Sequence, residues 1–172
     1  MSDFEGHKWP HVSASQFKTY SMCQRKWHIE RFSGLPRSPS TPGQILGTNI
    51  HTVLEKYIRD GVDFPETREG EIAKSALDLL PPQKVTVVEQ KINLTGMGMS
   101  PPLIGFIDAY VPPEHTKDGI PEVIDYKSTK SWKWVKSAED LRTDLQMLPY
   151  AAAGLEIARS HDKIRISHIQ LL

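Results

Sequence analysis

Cysteine and long hydrophobic segments are scarce in this 172-residue sequence. Cys23 is the single cysteine, so no internal disulfide can form, and we expect a reducing, cytoplasmic environment. No apolar run approaches the roughly 20 residues that a membrane-spanning helix requires, and the N-terminal residues lack the pattern of a signal peptide. These scarcities exclude a disulfide-stapled secreted domain and predict that no membrane is a partner.

Net charge is also absent, because 21 basic residues balance 21 acidic residues. Their distribution is uneven: residues 7–37 carry six basic side chains and one acidic one, and residues 127–136 carry four lysines and no acid. Residues 108–125, between these zones, carry five acids and one lysine. Separate basic and acidic zones suit a protein that attracts phosphates and holds a cation, although solvated surface charge explains the same pattern.

Hydrophobic periodicity predicts a helical first half and a sheet-bearing second half. Ser13 with Gln16 predicts a capping box at the start of the first helix, and Ser137 with Asp140 predicts a cap on the last one. From residue 84 onward, β-branched residues and alternation indicate strands. The predicted helices span 13–32, 44–60, 66–80 and 137–159, and the predicted strands span 84–94, 103–111, 122–127 and 164–172.

The order of these elements predicts a single α/β domain over residues 1–172. Residues 1–82 form its mainly helical part, and residues 83–172 form its sheet-bearing core. Three consecutive strands, a helix and one more strand are typical of a sandwich with a mixed sheet rather than of a doubly wound parallel sheet. The chain stops inside an apolar strand, which predicts that a natural C-terminal segment is missing.

Two acids and a lysine on neighbouring predicted strands indicate a metal-dependent active centre. Asp125 and Lys127 share one strand face, about 7 Å apart, because side chains alternate. Asp108 shares a face with Phe106 and Tyr110 on the preceding strand, and it converges with Asp125 on one cation if the two strands are neighbours. Two carboxylates suit Mg²⁺ or Mn²⁺. The alternatives are a structural Asp125–Lys127 ion pair and a strand-end cap at Asp108.

Four short motifs occur in order on the predicted elements. They are Gly47-Thr48-Asn49-Ile50-His51, Gly105-Phe106-Ile107-Asp108, Asp125-Tyr126-Lys127 and Gln146-Met147-Leu148-Pro149-Tyr150. Together they resemble the motifs of the PD-(D/E)XK nuclease superfamily and of its RecB-like exonuclease branch. Ser13-Ala14-Ser15-Gln16, which leads to Cys23 and Trp27, is similar to the opening helix of that branch. The resemblance runs from about Ser13 to the end of the chain and implies a restriction-endonuclease-like sandwich with a central mixed sheet.

The resemblance implies a role for each motif. The implied metal ligands are His51, Asp108, Asp125 and the backbone carbonyl of Tyr126, and the implied metal is Mg²⁺ or Mn²⁺. Lys127 would position or help deprotonate the attacking water and stabilise charge on the phosphate in the transition state. For His51 a second interpretation is an ion pair with Glu55, one helical turn away.

The last motif and one further acidic residue complete the set of candidate site residues. Gln146 and Tyr150 lie one helical turn apart, and the resemblance implies that they bind DNA or brace the site. Pro149 lies between them and predicts a kink, because it removes one backbone hydrogen bond inside the helix. Outside the motifs, Glu89 is a candidate for an auxiliary metal ligand or for an acid that faces the DNA. The alternative is that Glu89 lies on the surface without a role in the site.

Residues 127–136 combine lysines with Trp132 and Trp134. Such a segment can stack bases and attract the backbone of a single strand, although one or both tryptophans could instead fill the core. The first predicted helix offers basic side chains that contact phosphates or lie on a solvated face. These side chains are Lys18, Arg25 and Lys26.

Cys23 also bears on cofactor content. The resemblance extends to CRISPR-associated adaptation nucleases, several of which hold an iron–sulfur cluster through four cysteines. A cluster of that kind needs four ligands, and the sequence has one cysteine, so we expect no iron–sulfur cluster. Cys23 is instead predicted to be a small buried residue.

The function predicted from these features is a divalent-metal-dependent DNA exonuclease. It would hydrolyse phosphodiester bonds in phage or prokaryotic recombination, repair or spacer acquisition, in the cytoplasm of a prokaryotic or phage-infected cell. Its expected partners are single-stranded DNA or duplex ends, together with further copies of the chain in a homo-oligomer or the members of a recombination or adaptation complex. The alternatives are a catalytically silent DNA-binding module on the same fold and a structural or interaction domain.

Overall fold

The computed structural model describes residues 11–35, 39–94, 101–129 and 131–171. Lys8, Arg37 and Lys130 of the two basic zones lie outside these ranges. No helix in the described ranges is long and apolar enough to cross a membrane. The described α-helices are α1 (Ala14–Met22), α2 (Gln24–Phe32), α3 (Pro42–Asp60), α4 (Arg68–Lys74), α5 (Ala138–Arg142) and α6 (Met147–Ala158). The strands are β1 (Val87–Asn93), β2 (Ile104–Val111), β3 (Glu122–Ser128) and β4 (Arg165–Leu171).

The four strands form one mixed sheet in the order β1-β2-β3-β4. β1 pairs antiparallel with β2, and β2 pairs antiparallel with β3, whereas β3 and β4 run parallel. A parallel pair needs a crossover connection, which contains α5 and α6 here. The predicted α/β class is confirmed, and a four-stranded mixed sheet flanked by helices is consistent with a restriction-endonuclease-like fold.

Apolar side chains cover both faces of the sheet. The cluster on the α3 side contains Ile50, Leu54, Ile58, Ala109, Ile124, Tyr126 and Ile169, and the cluster on the α6 side contains Ile107, Tyr110, Val123, Met147, Tyr150 and Ala153. Gly154 brings α6 close to the sheet, because a Cβ at this position would lie 2.9 Å from Val123 and 2.2 Å from Ile164. The two apolar layers hold α3 and α6 on opposite faces of the central strands.

The ends of α3 are set by local sequence. Thr41 accepts a hydrogen bond from the backbone N–H of Gln44, and the Gln44 side chain accepts one from the Thr41 N–H, which forms a capping box. Pro42 occupies the first turn, where its missing N–H is not needed. Gly61, with φ at 70°, ends the helix as predicted. The helix begins two residues before the predicted start because the cap is Thr41.

The predicted helix over 13–32 is wrong as one element, because it is broken at Cys23. This residue is extended (φ −160°, ψ 102°), and its Sγ accepts a hydrogen bond from the Lys26 N–H at 3.4 Å, so it caps α2. Cys23 is exposed rather than buried, since the break between two helices leaves it at the surface. The predicted capping box is also wrong: the Ser13 hydroxyl contacts that of Ser15 at 2.9 Å and caps no backbone N–H.

The predicted helix over 66–80 is shorter than expected. It ends at Lys74 and is followed by the 3-10 helix Leu77–Leu79. The hydroxyl of Ser75 donates to the backbone carbonyl of Ile72 at 2.7 Å, and such side-chain bonds compete with regular helix continuation.

The predicted helix over 137–159 is two helices. Ser137 and Asp140 form the predicted cap, here a full capping box on α5. The carboxylate of Asp144 then accepts hydrogen bonds from the N–H groups of Gln146 and Met147, at 2.8 and 3.0 Å, and so starts α6. The kink predicted at Pro149 is wrong, because this residue lies in the first turn of α6, where no N–H is required.

Side-chain alternation changes sense midway along β1 and β2. Val88 packs on the α3 side and Ile92 on the α6 side, although strict alternation would place both on one side. In β2, Ile107 packs on the α6 side and Ala109 on the α3 side, again against strict alternation. Both strands therefore change face at the same level of the sheet.

This change corrects the predicted neighbours of Asp108. Alternation placed Phe106 and Tyr110 on the Asp108 face, but Phe106 is exposed whereas Tyr110 is buried on the α6 side. A local backbone distortion, which periodicity does not reveal, separates the two halves of the strand.

Candidate active site

Four ionisable side chains lie at one level across the four strands. The β3–β4 register pairs Asp125 with His168. Extending the β2–β3 register by one residue places Asp108 opposite Asp125. The pairs on either side place Glu89 of β1 opposite Asp108. The row falls where β1 and β2 change face, so the distortion of the sheet coincides with its polar centre.

Asp108 interrupts the backbone ladder between β2 and β3. The paired positions of these strands stop at Ala109 and Ile124. Beyond them the Tyr126 N–H donates to Oδ2 of Asp108 at 2.8 Å. A side-chain carboxylate therefore takes the place of a backbone acceptor and lies in the fork between the strands.

Glu89 has an unusual backbone conformation for a strand residue. Its φ of 50° lies in the left-handed region, which costs a residue other than glycine of order 1–3 kcal/mol. This conformation accompanies the face change of β1. Its carboxylate lies near His51 and Asp108 rather than among the apolar residues of either side.

His51 projects from α3 towards this fork. A Cβ at Gly47, one turn earlier, would lie 3.0 Å from the Ser128 hydroxyl, so glycine lets α3 approach the end of β3 closely. His51 Nδ1 lies 3.6 Å from Asp108 Oδ2, and its ring meets the ring of Tyr126 edge to face. Burial lowers the pKa of His51, but the neighbouring carboxylate of Asp108 outweighs it, so the pKa is raised.

His51, Glu89 and Asp108 form a group that we call the ligand cluster. One ligand atom from each lies within 4.8 Å of the other two, and Asp125 is outside this group. Glu89 is exposed, which agrees with the surface alternative, and partial burial, followed by the charges of Asp108 and Glu55, raises the pKa of its carboxyl. An imidazole and two neighbouring carboxylates that repel each other fit a divalent cation. His51 and Glu89 also line a cavity of about 1220 Å³, which gives the cluster access to solvent.

Asp125 is the centre of a second group, which we call the Asp125 cluster, with Lys127, Gln146 and His168. Its side chain is fully buried. Oδ1 accepts hydrogen bonds from Lys127 Nζ at 2.7 Å and from Gln146 Nε2 at 2.9 Å. Oδ2 lies 2.6 Å from Lys127 Nζ and 2.7 Å from His168 Nε2. Burial would raise the pKa of Asp125, but His168 and Lys127 outweigh it and lower the pKa.

Gln146 is held in place at the start of α6. Asp144 accepts from its backbone N–H at 2.8 Å and also pairs with Lys136. The Gln146 side chain lies 3.4 Å from the Tyr150 hydroxyl as well as bonding Asp125. Burial raises the pKa of Tyr150 to about 12, so its hydroxyl keeps its proton at neutral pH.

Glycine again permits a close approach at Tyr150. A Cβ at Gly105 would lie 3.2 Å from Cε1 of this ring. The glycine that precedes Asp108 by three residues therefore makes room for the aromatic residue of the last motif.

Sequence reasoning missed His168 and Asp144. His168 lies on the last predicted strand, and a signal for it existed: a histidine in an apolar strand, on a face that a parallel partner would share with an acid. Asp144 lay inside a predicted helix, where nothing marked it as the start of a second one. Both act on predicted residues, His168 on Asp125 and Asp144 on Gln146.

The remaining predicted residues lie around the two clusters. Trp132 and Trp134 are 68% and 72% exposed in the 3-10 helix Trp132–Trp134, which excludes the core-filling alternative. Lys18 and Trp134 line a groove of about 600 Å³ that also includes Lys127, Gln146 and His168. On α2, the exposed Arg25 and Lys26 are outside the lining of this groove, and Lys26 lies 3.7 Å from Glu30.

Comparisons with known proteins match the first half of the chain, which carries the His51 motif and none of the other three. The family model of the PD-(D/E)XK nuclease superfamily matches residues 11–91, which include His51 and Glu89 and end before Asp108. Over 81 residues, the chain is 28% identical to the mitochondrial exonuclease V of Candida dubliniensis (strain CD36). That stretch is 47% of this chain and 13% of the relative, so the chain spans a small part of that protein's length. The predicted resemblance to the superfamily is confirmed, and the relative is consistent with a RecB-like branch.

Proposed function

From the match to the PD-(D/E)XK nuclease superfamily and the geometry of the two clusters, we propose that the protein is a metal-dependent DNA exonuclease. The observation that carries the proposal is the fork between β2 and β3. There the ligand cluster lies beside a buried carboxylate that holds the ammonium of Lys127. A nuclease needs a cation for the phosphate and a positioned proton donor or acceptor for the water, and this level of the sheet offers residues for both.

Residues of both clusters would hold the metal. His51, Glu89 and Asp108 supply the side-chain donors, and Asp125 and the backbone carbonyl of Tyr126 complete the proposed set. When bound, Mg²⁺ or Mn²⁺ supplies charge neutralisation at the scissile phosphate and a lowered pKa for water. The raised pKa of Glu89 supports this assignment, because a carboxylate beside another acid gains from a nearby cation.

Lys127 would act on the water and on the phosphate. Its side chain is 37% exposed, so the ammonium can reach a substrate while Asp125 fixes its position. Its Nζ–H groups would orient the attacking water and donate to the phosphate oxygens as negative charge grows in the transition state. Gln146 and the protonated hydroxyl of Tyr150 would donate to DNA or brace Asp125.

The groove beside the Asp125 cluster would receive the DNA strand. Lys18 and Lys127 place positive charge along it, and Trp134 offers an exposed ring on which a base can stack. Trp132 would add a second stacking surface nearby. Arg25 and Lys26 would attract phosphates at longer range. A place in a recombination, repair or adaptation complex and a homo-oligomer remain predictions. The cytoplasmic location also remains a prediction, and the Candida relative is a mitochondrial exonuclease V.

Digestion of end-labelled DNA tests the proposal. Single-stranded and duplex substrates labelled at either end are incubated with Mg²⁺, Mn²⁺ or EDTA. We expect products that shorten progressively from an end with either metal and no products in EDTA. Full activity in EDTA would contradict the metal requirement. Internal cuts in circular DNA would replace the exonuclease with an endonuclease, and binding without cleavage would favour the catalytically silent module.

A further inference from the structure

His168 is the buried histidine of the Asp125 cluster. The parallel register pairs it with Asp125, so the two side chains project from the same face of the sheet. The side chain of His168 is 6% exposed and that of Asp125 is 0% exposed, and the atoms Nε2 and Oδ2 lie 2.7 Å apart. A buried imidazole in this contact is part of the polar centre rather than a surface residue.

The carboxylate of Asp125 has a separate neighbour at each oxygen. Gln146 donates to Oδ1, Nε2 of His168 lies 2.7 Å from Oδ2, and the ammonium of Lys127 lies against both oxygens. Without His168, Oδ2 would keep the Lys127 ammonium alone, which is carried on a flexible chain and is partly exposed. The carboxylate could then rotate about its Cβ–Cγ bond, and Lys127 would move with it.

The ring of His168 is oriented from its own strand. Gln170 Nε2 lies 3.4 Å from His168 Nδ1. The amide nitrogen can donate to Nδ1, and Nε2 on the other side of the ring then faces Asp125. Gln170, His168 and Asp125 thus form a chain of contacts that runs from β4 to the site.

We propose that His168 is a positioning residue that fixes the carboxylate plane of Asp125 and, through it, the ammonium of Lys127. The inference rests on the proposed function, which places Asp125 and Lys127 in the reaction. Partners that orient a ligating carboxylate commonly change metal affinity or activity about 10- to 100-fold when removed. His168 does not touch the substrate in this role, so it should affect turnover more than substrate binding.

Three substitutions at His168 separate positioning from packing. His168→Leu removes the donor and keeps an apolar side chain, and His168→Gln retains an amide nitrogen near the place of Nε2. His168→Asn carries the same amide one carbon shorter and does not reach Oδ2. Ser167→Ala is the matched control, because Ser167 lies on the other face of β4 and donates to Glu122.

The measurements are kcat and KM on end-labelled DNA and the Kd for Mn²⁺ by calorimetry in the absence of DNA. We expect His168→Leu and His168→Asn to lower kcat and weaken Mn²⁺ binding by about 10- to 100-fold with little change in KM. His168→Gln should recover most of both values, and Ser167→Ala should match the wild type. If His168→Leu does not fold, the Gln and Asn variants carry the comparison.

Each contrary result has its own meaning. Wild-type kcat and Mn²⁺ affinity in His168→Leu, or equal losses in the Gln and Asn variants, would overturn the inference and leave the proposed function intact. A wild-type protein that cuts no DNA with either metal would overturn the proposed function. In that case the Mn²⁺ affinities of the same variants still decide whether His168 positions Asp125.

Discussion

The ligand cluster and the Asp125 cluster adjoin each other across one sheet, but they place a carboxylate in opposite environments. In the ligand cluster, Glu89 has a second acid beside it, and burial together with that charge raises its pKa. In the Asp125 cluster, the donors of Lys127 and His168 outweigh burial and lower the pKa of Asp125. The ligand cluster is short of positive charge, whereas the Asp125 cluster contains the positive charge of Lys127.

This contrast indicates how two neighbouring acids can have different roles. Groups whose surroundings move their pKa values apart commonly divide the work of an active site. The ligand cluster is arranged to gain from an added cation. The Asp125 cluster is arranged to hold an ammonium in one place, because Gln146 donates to Oδ1 and Nε2 of His168 lies 2.7 Å from Oδ2.

The largest expected effect comes from removing the ammonium of the Asp125 cluster. Lys127→Ala should lower kcat by about 10²- to 10³-fold, because a donor aimed at developing charge is lost. Lys163→Ala is the control, since it removes an exposed lysine outside both clusters. Single-turnover cleavage of labelled DNA measures the effect. Near-wild-type cleavage by Lys127→Ala would show that the Asp125 cluster is structural.

The next effect concerns stability and its dependence on pH. Asp125→Asn should lower the free energy of unfolding by about 2 kcal/mol at pH 7, because charge-assisted hydrogen bonds are lost. The folded pKa of Asp125 is below its ordinary value of 3.8, so its stabilisation is present above that pH and is lost as the pH falls through the lowered pKa. Urea unfolding at pH 7 and pH 3 measures the difference, which should shrink at pH 3.

DNA affinity should distinguish the two exposed tryptophans. Trp134 lines the groove that opens on the Asp125 cluster, and Trp132 is outside its lining. Trp134→Ala should weaken binding of a short single strand by about 1 kcal/mol, or roughly fivefold in Kd, and Trp132→Ala should weaken it less. Fluorescence anisotropy at fixed salt, with Mg²⁺ replaced by EDTA, measures both. A larger loss of DNA affinity in Trp132→Ala than in Trp134→Ala would indicate that the DNA strand lies outside the groove.

The smallest effect is that of Glu89→Gln on stability, and its sign should be opposite to that of Asp125→Asn. A raised folded pKa means that ionised Glu89 destabilises the metal-free fold as the pH rises through its ordinary value of 4.5. Glu89→Gln should therefore raise Tm by at most about 2 °C at pH 7, because solvent screens the repulsion at this exposed residue, and have no effect at pH 4. The gain should reverse when Mn²⁺ is added, because the variant offers the metal a neutral amide oxygen in place of a carboxylate. If Glu89→Gln lowers Tm in the absence of metal, ionised Glu89 stabilises the fold as Asp125 does, and the contrast between the two clusters is wrong.

The sequence predicted the parts of the fold that depend on local chemistry. Gly61 ends α3 in a left-handed conformation, and Ser137 with Asp140 caps α5, because both signals act within a few residues. The break at Cys23 and the start of α6 at Asp144 could not be predicted, since periodicity continues across them. In both places a side chain captures backbone N–H groups within an otherwise continuous pattern.

The candidate site was predicted where motifs lie within one element, and less well where it depends on strand pairing. Asp125 and Lys127 share a face through simple alternation. The partnership of Asp125 with His168 depends on a register set 43 positions along the chain by a crossover. Glu89 reaches the ligand cluster through a positive φ, which a glutamate in a strand does not signal.

Calorimetric titration of Mn²⁺ into the wild-type protein and into Asp108→Asn tests the central claim most directly. The asparagine keeps an oxygen that can accept from the Tyr126 N–H, so the fork should persist while the ligand cluster loses one negative charge. We expect saturable Mn²⁺ binding by the wild type and at least a tenfold weaker affinity in Asp108→Asn, with both proteins folded. Equal affinities, or no binding by the folded wild type, would contradict the assignment of this cluster as the metal centre.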